Sequence, residues 1–121
     1  MARTNKKVGS PTGKLADVTP DMAAAGIETA LRMLEGRWKI VIIFHLFDRS
    51  TLRFSELERT IPSVSQKMLI QQLRELERDG IVTRKIYPQV PPKVEYSLTK
   101  WGKAMCPALD SLLEWAAARS K

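Results

Sequence analysis

The sequence has little of what catalytic and metal sites are built from: among its 121 residues are one cysteine and one histidine. A single cysteine cannot close an internal disulfide, and one cysteine with one histidine cannot complete a zinc site. The six glycines are scattered, so no glycine-rich loop for phosphate groups is present. No serine, lysine or cysteine has a base beside it in the sequence. We therefore predict that the protein is not an enzyme and binds neither a cofactor nor a metal.

Long apolar runs are also missing. The sequence contains no apolar stretch of the roughly 18 residues that a membrane-spanning helix needs, and it does not start with the charged and then apolar segment of a secretory signal. Hydrophobic residues make up 44% of the chain and charged residues 27%, which is typical of a globular protein. We expect a cytoplasmic protein without a membrane partner, and the length allows one domain.

Charge of one sign is in excess. The chain has 20 basic and 13 acidic residues, a net charge of +7, which favours an anionic partner such as nucleic acid. Part of this excess lies in residues 1–18, where glycine and proline occur among basic and polar residues without periodicity. This composition predicts a flexible basic arm over residues 1–18 and a folded domain over residues 19–121. The arm is either an idle terminus or a segment that follows a DNA backbone or reaches a minor groove.

Residues 53–98 contain the pattern around which the rest of the chain is organised. They are predicted to form a short strand, a helix, a tight turn, a second helix and two strands joined by a proline-rich tip. The first helix is predicted to begin at Ser55, which has capping-box spacing to Glu58. The strands are predicted over residues 81–87 and 94–98, because both are rich in strand-forming residues. This order is that of a winged helix-turn-helix.

The second helix of this pair has two chemically different faces. Ser63 or Ser65 can cap its start, and Gly80 is predicted to end it in the left-handed conformation. One face is an apolar stripe of Leu69, Leu73 and Leu76. The opposite face carries Gln66, Lys67, Ile70, Gln71, Arg74 and Arg78. Glutamine, lysine and arginine side chains can bond base edges in the DNA major groove, although the same residues also occur on ordinary solvated helices.

Three further helices are predicted around this motif. The first begins with Thr19 as its cap and Pro20 at its first position, and a second, buried helix spans residues 37–47. A last helix is predicted from residue 100 to about residue 119, with a bend at Pro107. Its apolar stripe of Trp101, Met105, Ala108, Leu112 and Trp115 is wider than one small domain needs, which suggests that part of it meets a second subunit.

Several motifs together resemble the HxlR-type family of transcription regulators, relatives of the MarR group. They are EGRWKIVI, RFSEL, SQKMLIQQLRELERDGIV, VPPKVEYSLT and WG, and the resemblance covers about residues 27–118. It implies a mainly α fold with a small β-wing (α+β), in which the first and last helices form a homodimer. It also implies binding to a roughly palindromic, double-stranded DNA operator, usually as a repressor.

The winged-helix geometry assigns candidate DNA contacts. The second helix is expected to contact base edges or nearby phosphates through Gln66, Lys67, Gln71 and Arg74. Ser65 is expected to add a backbone contact at the start of the helix. On the wing, Lys93 and Gln89 are expected to contact phosphate or the minor groove. Arg53 and Lys39 are candidate clamps on the DNA backbone.

The effector is less constrained by the sequence. Oxidant-sensing members of the family carry a cysteine near the start of the first helix, where this chain has Ala25. Its only cysteine, Cys106, is expected to be a buried structural thiol, with an intersubunit disulfide or adduct as the alternative. A small apolar or aromatic effector near Trp38, Trp101 and Trp115 is a further possibility. The competing function is a winged-helix module that binds protein, which would require apolar anchors on the second helix.

Overall fold

The computed structural model describes residues 10, 13 and 15–119 of the chain. Two compact units are present, one up to Glu35 and one from Gly36 onward. The flexible arm predicted over residues 1–18 falls mostly outside the described residues and stays a prediction. No helix in the described part of the chain is long and apolar enough to cross a membrane.

The first unit contains helix α1, Pro20–Leu34. Thr19 caps it as predicted: its side-chain oxygen accepts a hydrogen bond from the backbone N–H of Met22 at 3.1 Å. Pro20 occupies the first turn, where its missing N–H removes no hydrogen bond of the helix. Ile27 and Leu31, which share one face of the helix, are exposed.

The second unit contains the remaining five helices and three strands of the described chain. In order they are α2 (Lys39–Arg49), β1 (Thr51–Arg53), α3 (Phe54–Thr60), α4 (Gln66–Arg78), β2 (Val82–Tyr87), β3 (Lys93–Leu98), α5 (Lys100–Ala104) and α6 (Cys106–Ala118). Helices α3 and α4 form the helix-turn-helix, and the hairpin of β2 and β3 forms the wing. The predicted mainly α fold with a small wing is confirmed.

The three strands form one antiparallel sheet in the order β1-β3-β2. Glu95 of β3 lies opposite both Arg53 of β1 and Lys85 of β2. Because directly opposed residues share a face of the sheet, these three side chains lie on the same face. The opposite face of the sheet packs on the core. Its buried residues are Leu52, Val82, Tyr96 and Leu98.

The core lies between this sheet and helices α2 to α4. Its fully buried side chains are Ile42, Ile43, Leu46, Leu52, Leu57, Leu69, Leu73, Leu76, Ile81 and Val82. Burying one such aliphatic side chain contributes about 1.5 to 3 kcal/mol of transfer free energy. Three of the ten come from α4, so the apolar face of this helix fixes its position and leaves the polar face outward.

Both ends of α4 have well-formed caps. At the start the cap is Ser65, whose side-chain oxygen accepts from the N–H of Met68 at 3.1 Å. At the end Gly80 has a positive φ of 79°, as predicted, and the N–H of Ile81 donates to the carbonyl of Leu76 at 2.9 Å. This is a Schellman motif, which stops the helix and sends the chain into β2.

Three local predictions are corrected by the structure. Helix α3 begins after Arg53 and not at Ser55, because the carboxylate of Glu56 accepts from the N–H of Arg53 at 2.8 Å. Helix α2 is buried on one side only: Ile40, Val41, Phe44 and Phe47 are exposed.

The third correction concerns the last helix, which is interrupted and not merely bent. Helix α5 ends at Ala104, and α6 begins at Cys106 with Pro107 in its first turn. Pro107 has no backbone N–H to donate to the preceding turn, and its ring crowds that turn. One helix therefore ends before Pro107 and a new one begins, with the proline in its first turn. The residues that α5 and α6 bury are Gly102, Cys106 and Leu109, whereas Trp101, Leu112 and Trp115 of the predicted stripe are exposed.

Candidate nucleic-acid interface

The polar face of α4 forms an open depression on the surface. It is lined by Gln66, Lys67, Ile70, Gln71, Arg74 and Glu75. Ile70 is half-buried, and the predicted contact residues Gln66, Lys67, Gln71 and Arg74 are exposed. The structure therefore brings four of the predicted site residues together on one exposed face of a helix that fits a DNA major groove.

Ser65 lies at the start of this face. Its hydroxyl is used to cap the helix, so its contribution to a ligand would come through the helix terminus it holds in place. The positive end of the helix dipole lies here, next to the side chains of Gln66 and Lys67. An anionic group would find favourable potential at this end of α4.

Lys39 is not a surface clamp, contrary to the sequence-based prediction. Its side chain is only 4% exposed, and its ammonium Nζ lies 2.6 Å from Oε1 of Glu75. The Lys39 hydrogen bond is the main reason why the pKa of Glu75 lies below its ordinary value. The lysine therefore ties α2 to α4 from inside the protein and is not available to a phosphate group.

Glu75 also contacts the exposed face of α4. Its Oε2 accepts a hydrogen bond from Nε2 of Gln71 at 3.3 Å. The same carboxylate thus contacts a buried ammonium on one side and a predicted base-reading side chain on the other.

A second depression lies beside the first, between α4 and the sheet. It is lined by Phe54, Ile70, Arg74, Glu77, Arg84, Val94 and Tyr96. Arg84 Nε lies 3.5 Å from Oε2 of Glu77, and burial raises the pKa of Tyr96. Arg74 lines both depressions, so its side chain lies where α4 and the wing meet.

The loop end of the wing carries a cluster of charges around Tyr87, which pairs with Lys93 next to the loop. Lys85 and Lys93 place their ammonium groups 4.9 and 4.6 Å from the centre of its ring. The Tyr87 hydroxyl donates to Glu95 at 3.0 Å, and Lys93 Nζ lies 3.2 Å from the same carboxylate. The tyrosine hydrogen bond, followed by Lys93, lowers the pKa of Glu95.

Two more predicted residues belong to this side of the molecule. Arg53 is exposed and lies opposite Glu95 in the sheet register, so it lies on the same face as Lys93. Gln89 is exposed in the loop of the wing. Lys85 was not predicted, although its position in β2 two residues before Tyr87 places both on one face of the strand.

Cys106 is a free, buried cysteine at the start of α6. Burial, with a smaller contribution from the nearby Asp110, raises the pKa of its thiol. The thiolate is the reactive form of cysteine, so this environment makes the thiol less reactive than an exposed one.

Comparison with known proteins points in one direction. A family model described as HxlR-like helix-turn-helix matches residues 33–121. An HTH-type transcriptional regulator of Methanothermobacter thermautotrophicus is 46% identical over 99 residues, which cover 82% of this chain and 75% of the relative. The HTH-type transcriptional regulator YtcD of Bacillus subtilis is 50% identical over 91 residues, 75% of this chain and 71% of the relative.

A solved structure agrees with these relatives. The redox regulator HypR in its reduced form matches with a TM-score of 0.73 and 45% sequence identity. The match covers 79% of this chain and 94% of the HypR chain.

Proposed function

This chain belongs to the HxlR-like helix-turn-helix family of transcriptional regulators, and we propose that it is a homodimeric repressor that binds a pseudo-palindromic operator. The observation that carries the proposal is the exposed face of α4. There Gln66, Lys67, Gln71 and Arg74 line one depression and present hydrogen-bond donors suited to base edges.

The base contacts follow from the chemistry of these side chains. Arginine and lysine can reach the two acceptors of guanine, and glutamine can make two hydrogen bonds with adenine. Arg74 is well placed because it lies near the centre of the helix and at the edge of the wing. We assign base recognition to Gln71, Arg74 and Lys67, and phosphate contact to the helix start at Ser65 and Gln66.

The wing would supply contacts to the DNA backbone. The ammonium group of Lys93 contacts the carboxylate of Glu95 and the ring of Tyr87. When DNA binds, this group would exchange the carboxylate for a phosphate. Arg53 lies opposite Glu95 on the same face of the sheet and would add a further backbone contact. Lys85, whose ammonium group also lies near the Tyr87 ring, adds a third positive charge, and Gln89 extends the contact at the tip.

A dimer would follow from the exposed apolar side chains on the helices outside the winged motif. Leu112, Leu113 and Trp115 of α6 are 51%, 60% and 76% exposed, which is unusual for large apolar residues on neighbouring positions of one helix. Ile27 and Leu31 of α1 are also exposed. A two-fold dimer would place two recognition helices about 34 Å apart, one turn of DNA.

The proposed effector is a small apolar or aromatic molecule that contacts the exposed rings of Trp101 and Trp115. HypR is a redox regulator; redox control of this chain would have to act through Cys106, its only cysteine. Its burial and raised thiol pKa argue against that route.

A winged-helix module that binds protein is the competing function. Such a surface is anchored by buried aromatic and aliphatic side chains on the partner-facing side. On the exposed face of α4 the only apolar residue is the half-buried Ile70. The polar and basic character of this face favours DNA.

Selection of bound duplexes from a random DNA library tests the proposal. We expect the wild-type protein to enrich one sequence with two related half-sites, and Gln71→Ala with Arg74→Ala to abolish that enrichment. If the wild type enriches no sequence and also binds random duplexes only weakly at low salt, specific DNA recognition is ruled out and the protein-binding alternative gains support.

A further inference from the structure

A line of three polar side chains connects the protein interior to the DNA-facing side of α4. Lys39 lies at the inner end, with its side chain only 4% exposed, and its Nζ lies 2.6 Å from Oε1 of Glu75. Glu75 is about a quarter exposed and accepts from Nε2 of Gln71 through its other oxygen at 3.3 Å. Gln71 is exposed on the face assigned to base recognition.

The chemistry of the carboxylate fixes which end of the Gln71 side chain it meets. The hydrogen bond to Lys39 lowers the pKa of Glu75, so the group is ionised at neutral pH and can only accept hydrogen bonds. It must therefore face the NH₂ group of the Gln71 carboxamide and not its oxygen. Lys39 has a fixed place in the core and thereby holds the carboxylate where Gln71 can reach it.

The rest of the Gln71 carboxamide stays free for DNA. Glu75 needs only one of the two N–H groups, and when it takes the one that points away from the amide oxygen, the oxygen and the second N–H remain together on one edge of the amide. An acceptor beside a donor is the pattern that complements adenine, whose N6 donates and whose N7 accepts in the major groove. A carboxamide that rotates by half a turn would exchange the two positions and lose this complementarity.

We propose that Lys39 and Glu75 are positioning residues that set Gln71 to read adenine in the operator. The inference rests on the proposed function of sequence-specific DNA binding. Holding the side chain in its binding orientation before DNA arrives also reduces the rotational freedom lost on binding. The buried ion pair then influences base preference although neither of its members needs to contact DNA.

The experiment compares base preference among four proteins: the wild type, Gln71→Ala, the double variant Lys39→Met with Glu75→Leu, and the triple variant. The double variant removes both charges, so no unpaired charge is left in the core. Each protein is titrated with the duplex selected by the wild type and with duplexes in which each base pair is changed in turn. The base pair that Gln71 reads is identified as the one at which the preference for adenine is lost in Gln71→Ala.

We expect the wild type to prefer adenine at that position by about tenfold, and the double variant to keep less than about a third of that preference while the salt dependence of binding is unchanged. The triple variant should show the same base preferences as Gln71→Ala alone, because Lys39 and Glu75 act on this base only through Gln71. Thermal unfolding of each variant shows whether it is folded. A purely structural role would not move the preference at one base alone.

Glu75→Gln provides a second route if the double variant does not fold. Its amide can donate to the oxygen of Gln71 as well as accept from its NH₂ group, so both orientations of Gln71 become accessible and the adenine preference should fall. Full wild-type preference in a folded double variant or in Glu75→Gln, with the loss seen in Gln71→Ala, would overturn the positioning role. If no base position depends on Gln71, the inference fails while specific binding stands; if the wild type selects no sequence, both proposals fail.

Discussion

Lys39 Nζ lies 2.6 Å from Glu75 Oε1, and the two side chains differ in exposure, 4% for the lysine and 27% for the glutamate. The lysine shares a helical face with Ile42, Ile43 and Leu46. The buried ammonium group of Lys39 therefore has Glu75 as its counter-ion and little contact with water, whereas the carboxylate of Glu75 can also be hydrated.

Single substitutions of Lys39 and Glu75 should lower the free energy of unfolding by unequal amounts. We expect Glu75→Leu to lower the free energy of unfolding by about 3 kcal/mol, because it leaves a buried ammonium without its partner. Lys39→Met should lower it by only about 1 kcal/mol, since Glu75 can turn to water. The double variant should lie within about 1 kcal/mol of the wild type. Urea denaturation measures all three, and equal losses for the two single variants would contradict the asymmetry.

Acid stability should depend on the same pair. The folded-state pKa of Glu75 lies below its ordinary value of 4.5, so as the pH falls the unfolded chain takes up the proton first. The stability contributed by Glu75 is therefore present above pH 4.5 and is lost as the pH falls below it. Thermal unfolding at several pH values from about 6 to 3 should show a smaller loss in the double variant. Parallel curves for wild type and double variant would show that the pair contributes nothing to this loss. Because Glu95 titrates in both proteins, it does not affect the comparison.

The recognition face should show a positional effect. We expect Arg74→Ala and Lys67→Ala each to weaken binding to the selected duplex by about 1 to 3 kcal/mol, through loss of base contacts. Arg78→Ala is the matched control, since it removes one exposed charge from the last turn of the same helix. Fluorescence anisotropy gives the affinities. Equal weakening in all three would indicate general charge attraction and would remove the assigned base contacts.

Helix α5 lies unusually close to the start of β2. A Cβ atom added at Gly102 would collide with the carbonyl oxygen of Ile81, whereas one added at Gly26 in α1 would meet no described atom within 4 Å. Gly102→Ala should therefore destabilise the protein by about 2 kcal/mol or more. Gly26→Ala should be neutral or stabilise by up to about 1 kcal/mol. Differential scanning calorimetry compares the two, and a neutral Gly102→Ala would refute the close approach.

The buried thiol should not control DNA binding. Because burial raises the pKa of Cys106, we expect a thiol reagent to modify it slowly in the native protein and rapidly after unfolding. Binding to the selected duplex should be the same with and without diamide, in wild type and in Cys106→Ser. Diamide sensitivity in the wild type that is absent from Cys106→Ser would show that the thiol is a redox switch.

Much of the winged fold follows from local patterns. The apolar stripe of α4, its stop at Gly80 and the two strands of the wing each depend on a few neighbouring residues, and the structure confirms all three. The predicted contact residues of α4 share one face for the same reason.

Other features depend on contacts between distant parts of the chain. Lys39 was predicted at the surface because it is charged, although its spacing to Ile42, Ile43 and Leu46 matches one helical face. Its partner Glu75 is 36 positions away, and nothing in either local sequence indicates the pairing. Likewise, α6 buries Cys106 and Leu109 against the core, whereas the stripe predicted from Trp101 to Trp115 begins and ends with residues that are exposed.

Titration of the purified protein with the selected duplex and with a scrambled duplex of equal length, at several salt concentrations, tests the central claim most directly. We predict tight binding to the selected duplex with two subunits per site, weaker binding to the scrambled one by a factor of about 10³ or more, and a steep fall of both affinities with salt. Equal affinity for the two duplexes at every salt concentration would contradict a sequence-specific regulator.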